Sequence, residues 1–155
     1  MSLMQKTISP IDGSLYVQRD QAEQGQIDTV VQTAREAQTN WQSRPLAERK
    51  ALCSAAVRIL VDSQDAIAEE ICWQMGRPIR YAGGEVNSLA ERAEYMISIA
   101  DDALASLQQA EKSGFIRYIK RVPVGVVLVI APWNYPLHTP INAIVPALLA
   151  GNSII

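Results

Sequence analysis

The sequence is poor in the residues that form covalent or metal-bound frameworks. Its 155 residues include only two cysteines, Cys53 and Cys72, and a single histidine, His138. This set is too small for a disulfide framework or for a four-ligand Cys/His zinc site. We therefore expect reduced thiols, no metal site and a cytoplasmic protein.

An excess of charge of one sign is also lacking. Lys and Arg total 14 and Asp and Glu total 16, so the net charge is −2, and no run of like charge occurs. Surfaces that bind nucleic acids or anionic membranes need concentrated positive charge. We expect neither partner.

The sequence has no long uninterrupted apolar run. Of the two most apolar segments, 122–133 is too short for the roughly 20 residues of a spanning helix, and 141–155 is interrupted by Asn142, Pro146 and Asn152. No apolar stretch follows Lys6, as a secretory signal would require. These features predict a protein that neither crosses a membrane nor is secreted.

Apolar residues are nevertheless abundant, at 48% against 19% charged, which is enough for a core in one domain or two small ones. A hairpin is predicted within 7–22, and four helices follow. Their predicted apolar faces are Ile27, Val30, Val31, Ala34, Ala37 and Trp41; Leu52, Ala55, Ala56, Ile59 and Leu60; Ile67, Ala68, Ile71, Cys72 and Met75; and Leu89, Ala93, Met96, Ile97, Ala100, Leu104 and Leu107.

The fourth of these helices is predicted to begin near Gly83 and Gly84 and to run to about Gln108. Its charged residues lie mostly off the apolar seam and are interpreted as a solvated face. They are Glu85, Glu91, Arg92, Glu94, Asp101 and Asp102.

The pattern changes after Ser113. Segment 115–122 mixes aromatic, β-branched and basic residues, as in a half-exposed edge strand, whereas 126–130 is wholly apolar and predicts a strand buried on both faces of a parallel sheet. A helix capped by Thr139 and a second strand from Ser153 complete one βαβ unit. Because one such unit cannot cover a parallel sheet, we expect the chain to be an N-terminal fragment.

Three C-terminal segments resemble the aldehyde dehydrogenase superfamily in order and spacing: 123–127 (Pro-Val-Gly-Val-Val), 130–136 (Ile-Ala-Pro-Trp-Asn-Tyr-Pro) and 146–152 (Pro-Ala-Leu-Leu-Ala-Gly-Asn). Upstream, 9–13 resembles the family's Asn-Pro-x-x-Gly turn with Ser9 in place of Asn, and the stretch from Gly76, Arg77 and Pro78 resembles its Gly-Lys-Pro segment. No Gly-x-Gly-x-x-Gly follows the strand, which argues against an ordinary Rossmann dehydrogenase.

The resemblance implies an α/β fold in which N-terminal helices lead into an incomplete Rossmann-like parallel sheet. It implies an N-terminal arm and helices in 1–112, an edge strand of an oligomerisation arm in 113–123, and the first strand-helix-strand unit of an NAD(P)-binding domain in 124–155. A homodimer or homotetramer is the assembly expected for such a protein.

The resemblance also implies oxidation of a small-molecule aldehyde to a carboxylic acid with NAD or NADP, through a Cys thiohemiacetal and thioester. The nucleophilic Cys and the general-base Glu of the family lie beyond Ile155, so these residues alone are predicted to be inactive. Asn134 resembles the oxyanion donor, past the end of a parallel strand where open α/β sheets place their chemistry. The expected cofactor contacts are Ile130, Ala131, Pro132, Trp133 and Asn134.

Other interpretations stay open. Asn134 beside Pro136 is equally typical of a plain turn, and Trp133 of a core aromatic residue. Cys53 and Cys72 fit small buried hydrophobes, and His138 a surface or capping residue. The chain could also be a non-catalytic binding module, or part of a relative that forms acyl-CoA or reduces an acyl phosphate.

Overall fold

The computed structural model describes residues 3–155. Met1 and Ser2, the start of the predicted region 1–112, lie outside the described residues. The elements are β1 (Met4–Ile8), β2 (Leu15–Asp20), α1 (Gln24–Gln42), α2 (Leu46–Asp62), α3 (Gln64–Met75), α4 (Ile79–Ser98), α5 (Ala100–Leu104), β3 (Leu107–Gln108), β4 (Tyr118–Ile119), β5 (Val126–Val127), α6 (His138–Leu149) and β6 (Ser153–Ile154). The fold is thus mixed, with a helical majority and three small sheets.

The predicted N-terminal hairpin is confirmed: β1 and β2 pair antiparallel. It lies against α3, where the Tyr16 ring stacks on Trp73 at 5.8 Å between centroids and the Tyr16 hydroxyl donates to Glu70 at 2.9 Å. Gly76 ends α3 with a φ of 78°, and a Cβ there would lie 2.9 Å from Pro10 Cγ. A glycine therefore serves both the left-handed helix end and the close approach of the hairpin.

Helix α4 is central, since α2, α3 and α6 all pack against it. Its predicted seam is confirmed at Leu89, Ala93 and Ile97, which are buried, and the predicted seam residue Ala100 is buried in α5. Together with buried residues of α2 and α6 they form the larger core cluster: Cys53, Val57, Leu89, Ala93, Ile97, Ala100, Ile141, Val145 and Leu149.

The predicted bounds of α4 are wrong at both ends. The helix begins after Pro78, whose ring fixes φ near the value the first turn needs, so Gly83 and Gly84 lie inside it. Gly83 leaves room for Gln64, whose amide donates to the Gly83 carbonyl at 3.1 Å and would lie 2.8 Å from an added Cβ. The helix ends at Ser98, and Leu107 belongs to β3 instead.

The predicted apolar face of α2 is wrong at Leu52 and Ile59, although its member Leu60 packs against the core. Its buried residues are Cys53 and Val57, whereas Leu52 is 43% and Ile59 66% exposed. Apolar residues occur on several sides of α2, so its contacts with α4 and α6 decide which side is buried.

The βαβ unit is confirmed: β5 and β6 pair parallel, with Val126 opposite Ser153 and Val127 opposite Ile154, and α6 connects them. The expected five-residue buried strand is wrong. The strand is Val126–Val127, and Leu128 and Ile130 are 67% and 84% exposed. Within residues 3–155, β5 has one strand neighbour, β6, so its other edge is unpaired.

Segment 115–122 contributes only the short strand β4, which pairs antiparallel with β3; both strands are exposed. The division into regions 1–112, 113–123 and 124–155 stays a prediction. Among residues 3–155, no helix combines the length and apolarity needed to cross a membrane.

Candidate functional site

Asn134 lies in the turn between β5 and α6, beyond the carboxyl end of the parallel strand. Its residue is exposed, and its backbone carbonyl accepts a hydrogen bond from Arg77 Nη2 at 2.6 Å. No described residue forms a hydrogen bond with its side-chain amide. The backbone is therefore held by the protein, while the amide is available to a ligand.

The four predicted cofactor residues before Asn134 form an exposed strand end. Ile130 is 84% and Trp133 is 77% exposed, Ala131 is exposed, and Pro132 is half-buried. Trp133 is therefore no core aromatic residue within the described part of the chain. Large apolar groups at a strand end, next to backbone groups without protein partners, fit the flat rings of a dinucleotide.

The turn separates two cavities. A groove of about 800 Å³ is lined by Trp133 and Leu137 of the turn and by residues of β1 and α3. A second cavity, of about 430 Å³, is lined by Arg77, Tyr81, Gly84, Glu85, Ser88, Tyr135 and His138. Asn134 lines neither cavity, whereas its chain neighbours Trp133 and Tyr135 line one each.

Glu85 is not part of a solvated face, and that prediction is wrong. Its residue is 2% exposed. Oε1 accepts the backbone N–H groups of His138 at 2.9 Å and Leu137 at 3.2 Å, and Oε2 pairs with Arg77 Nη1. The carboxylate can remain buried because three donors satisfy it: the two backbone N–H groups and the Arg77 guanidinium.

The charge on Glu85 is stable in this environment. Burial raises its pKa, but the His138 N–H, Arg77 and the Leu137 N–H lower it further than burial raises it, so the pKa is below its ordinary value of 4.5. Glu85 is therefore ionised at neutral pH and faces the positive end of the α6 dipole.

Arg77 connects Glu85 to the turn. One nitrogen, Nη1, pairs with Glu85, and the other, Nη2, donates to the Asn134 carbonyl. Its Cζ also lies 4.7 Å from the centroid of the Tyr135 ring. A planar guanidinium can make all three contacts at once, which a point charge cannot.

Sequence reasoning missed both members of this pair, although one signal was present. Glu85 precedes Leu89 by four residues, and so lies on the same helical face as the apolar seam. A charged residue at a seam position predicts a buried partner.

The start of α6 also differs from the prediction. The helix begins at His138, one residue before Thr139, and no side chain of its own turn caps it. His138 is half-buried, its ring is 6.4 Å from that of Tyr135, and its Nδ1 is buried without a hydrogen-bond partner. The histidine is therefore neither a surface residue nor a cap; the carboxylate of Glu85 takes the capping role.

Both cysteines are buried and free. Burial raises the pKa of the Cys53 thiol, with a small opposing effect of Arg49. Cys72 Sγ donates to the Arg77 carbonyl at 2.8 Å, which fixes the backbone next to the guanidinium. The environment of Cys53 therefore does not favour a thiolate nucleophile, and Cys72 is buried.

Comparison with known proteins gives matches across almost the whole chain. The model of the "Aldehyde dehydrogenase family" matches residues 2–155. The N-succinylglutamate 5-semialdehyde dehydrogenase of Vibrio cholerae is 31% identical over 147 residues, which cover 95% of this chain and 30% of that protein.

Two solved structures are similar in fold. The NADP-dependent glyceraldehyde-3-phosphate dehydrogenase of Bacillus halodurans C-125, complexed with NADP, superposes with a TM-score of 0.88 at 28% identity, covering 98% of this chain and 33% of that one. The NAD-dependent benzaldehyde dehydrogenase of Corynebacterium glutamicum gives 0.89 at 28% identity, covering 98% and 33%. The chain spans 29% to 31% of the length of the curated relatives it matches first.

Proposed function

The chain belongs to the aldehyde dehydrogenase family, and on this premise we propose that it forms part of an enzyme that oxidises a small-molecule aldehyde to a carboxylic acid with NAD or NADP. The observation that carries the proposal is the Asn134 turn. Its backbone is held by Arg77, and its amide has no partner among the described residues.

Asn134 is assigned the role of oxyanion donor. When a thiolate adds to an aldehyde, negative charge develops on the former carbonyl oxygen. A side-chain N–H already oriented towards that oxygen stabilises the charge without the reorganisation that water would need. An amide with a fixed backbone and no internal hydrogen bond fits this role.

The residues proposed to hold the cofactor are Ile130, Ala131, Pro132, Trp133 and Asn134. Exposed Ile130 and Trp133 offer apolar surface for a flat ring, and neighbouring backbone groups can orient polar edges. When bound, NAD(P)+ accepts the hydride that leaves the substrate carbon. The similar structures use NADP in one case and NAD in the other, which supports either cofactor.

We also propose that the enzyme is a homodimer or homotetramer and that the β3–β4 ribbon contributes to its interface. The ribbon exposes apolar residues: Leu107 at 49%, Tyr118 at 54% and Ile119 at 55%, with Ile116 at 91% before β4. Such exposed apolar surface marks interaction sites. Light scattering on the purified enzyme measures the assembly, and a monomer would contradict this assignment.

Asn134→Ala tests the proposed role in the enzyme. Loss of one oxyanion donor is expected to lower kcat by roughly 10²- to 10³-fold, while the dissociation constant of NAD(P) changes little. Steady-state kinetics with a panel of aldehydes and a cofactor titration measure the two effects. Asn40→Ala, at an exposed position of α1, serves as the matched control.

Two outcomes would contradict the proposal. An unchanged kcat in Asn134→Ala would remove the oxyanion role. A folded parent protein that turns over no aldehyde with either cofactor would favour a binding module instead.

A further inference from the structure

The start of α6 depends on a residue from another helix. The first N–H groups of an α-helix lack intrahelical partners, and a nearby side chain usually accepts from them. At α6 no local side chain does so, and Pro140 has no N–H to offer. The N–H groups of Leu137 and His138 are instead accepted by Glu85 of α4.

Glu85 is suited to this task in both geometry and charge. One oxygen accepts both N–H groups, and its negative charge faces the positive end of the helix dipole. The side chain is 1% exposed, so water cannot replace these contacts without an opening of the α4–α6 interface. The last residues of the Asn134 turn are therefore fastened to α4.

Arg77 holds the same turn further towards β5, at Asn134. Its Nη2 donates to the Asn134 carbonyl, and its plane lies over the Tyr135 ring. The Arg77 side chain is 15% exposed, and its own carbonyl accepts the Cys72 thiol. Arg77 is thus anchored between the end of α3 and the start of α4.

The two anchors form a single unit, because Arg77 Nη1 and Glu85 Oε2 are paired. Among the described residues, one other backbone hydrogen bond involves the stretch between Asn134 and Leu137, from Thr139 N–H to the Tyr135 carbonyl at 3.3 Å. Both Asn134 and Tyr135 are exposed. Leu137 at the end of this segment packs against the core, whereas the backbone at exposed Asn134 is held by the hydrogen bond from Arg77.

We propose that Arg77 and Glu85 are positioning residues that set the location of the Asn134 amide, so that the catalytic step assigned to Asn134 depends on their ion pair. This inference rests on the proposed function of Asn134. It assigns a supporting role to two residues that contact the backbone of the turn. Neither is proposed to contact the reacting atoms.

The test is a double-mutant cycle in the enzyme. Arg77→Lys keeps the positive charge but cannot reach both Glu85 and the Asn134 carbonyl in the same planar geometry. Because small misplacements of a reacting group carry large rate penalties, kcat is expected to fall roughly 10- to 100-fold, with the NAD(P) dissociation constant unchanged. In the Asn134→Ala background the same substitution is expected to have little further effect on kcat.

Glu85→Gln is the second variant. It keeps an oxygen for the Leu137 and His138 N–H groups but removes the charge that orients Arg77. We expect a smaller loss of kcat than in Arg77→Lys, again absent in the Asn134→Ala background. Arg80→Lys is the matched control for Arg77→Lys, since Arg80 lies nearby in the first turn of α4, over the ring of Tyr81, with Cζ 4.7 Å from the centroid.

The outcomes separate the two assignments. An impaired Asn134→Ala together with unimpaired, folded Arg77→Lys and Glu85→Gln would overturn the positioning role alone. Equal losses of kcat in both backgrounds would also overturn it, because Arg77 would then act independently of the amide. An unimpaired Asn134→Ala would overturn the oxyanion role of Asn134, on which this inference rests. If either variant is too unstable for kinetics, the cycle with the other one decides.

Discussion

Asn152 offers the sharpest test of what holds together the βαβ unit that carries the Asn134 turn. It is 5% exposed and lies between α6 and β6. Its Oδ1 accepts the N–H groups of Val124 at 2.7 Å and Gly125 at 3.0 Å, and its Nδ2 donates to the Ala147 carbonyl at 2.9 Å. One side chain thus joins the segment before β5 to the last turn of α6, at the end opposite Asn134.

Asn152→Ala removes three hydrogen bonds. At about 0.5–1.5 kcal/mol each, their loss is expected to lower the free energy of opening of the β5–β6 pair by about 1.5–4.5 kcal/mol. Since about 1.4 kcal/mol corresponds to a factor of ten, hydrogen exchange should accelerate roughly 10- to 1,600-fold. The reporting amides are those of Val129, Ser153 and Ile155, which donate across the pair.

Hydrogen exchange followed by mass spectrometry measures this change in the native protein. Helix α3 packs against α4 and makes no hydrogen bond with Asn152, so its amides should keep their protection from hydrogen exchange. Asn142→Ala is the matched control, because Asn142 is exposed and donates only to carbonyls of its own helix, at His138 and Thr139. Protection at β5 and β6 that stays equal in the two variants would refute the assigned role of Asn152.

Two further predictions follow from buried titratable groups. Because the pKa of Glu85 lies below 4.5 in the folded protein, its contribution to stability is complete above about pH 4.5 and is lost as the pH falls through the folded pKa. Thermal midpoints from pH 7 down to pH 3 should therefore fall more steeply in the parent protein than in Glu85→Gln; parallel curves would contradict this. Cys53 is 5% exposed and burial raises the pKa of its thiol, so we expect its alkylation by iodoacetamide to be roughly 100-fold slower or more in the native than in the unfolded protein. Peptide mapping by mass spectrometry measures the rate, and equal labelling in both states would be the contrary result.

The sequence predicted correctly those helices that contain both an apolar face and a residue that marks the helix end. In α3, the apolar stripe includes Ala68, Ile71 and Cys72, all buried, and Gly76 marks the end. The residues of this face lie on consecutive turns of one helix. The glycine adopts the left-handed conformation that ends the helix. Nothing outside 64–78 is needed for this prediction.

The prediction failed where the deciding contacts come from elsewhere in the chain. In α2, Leu52, Val57 and Ile59 are all apolar, and only packing against α4 and α6 selects Val57 for burial. The strand at 126–130 failed for a related reason: apolar composition is typical of a covered strand, but Leu128 and Ile130 have no covering layer among the described residues. Hydrophobicity indicates which residues can be buried, and neighbouring elements determine which ones are.

The candidate site resembles known sequence motifs, but the contacts that hold it in place could not be predicted from the sequence. Arg77 and Asn134 are 57 positions apart, and Glu85 and the His138 N–H are 53 apart. Periodicity within one helix contains no information on such pairs. It does contain one constraint: a carboxylate on the seam of a buried helix is costly unless donors satisfy it. That constraint implies that Glu85 needs buried donors within reach. The start of α6, which lacks a cap of its own, supplies two N–H groups, and Arg77 supplies the cation.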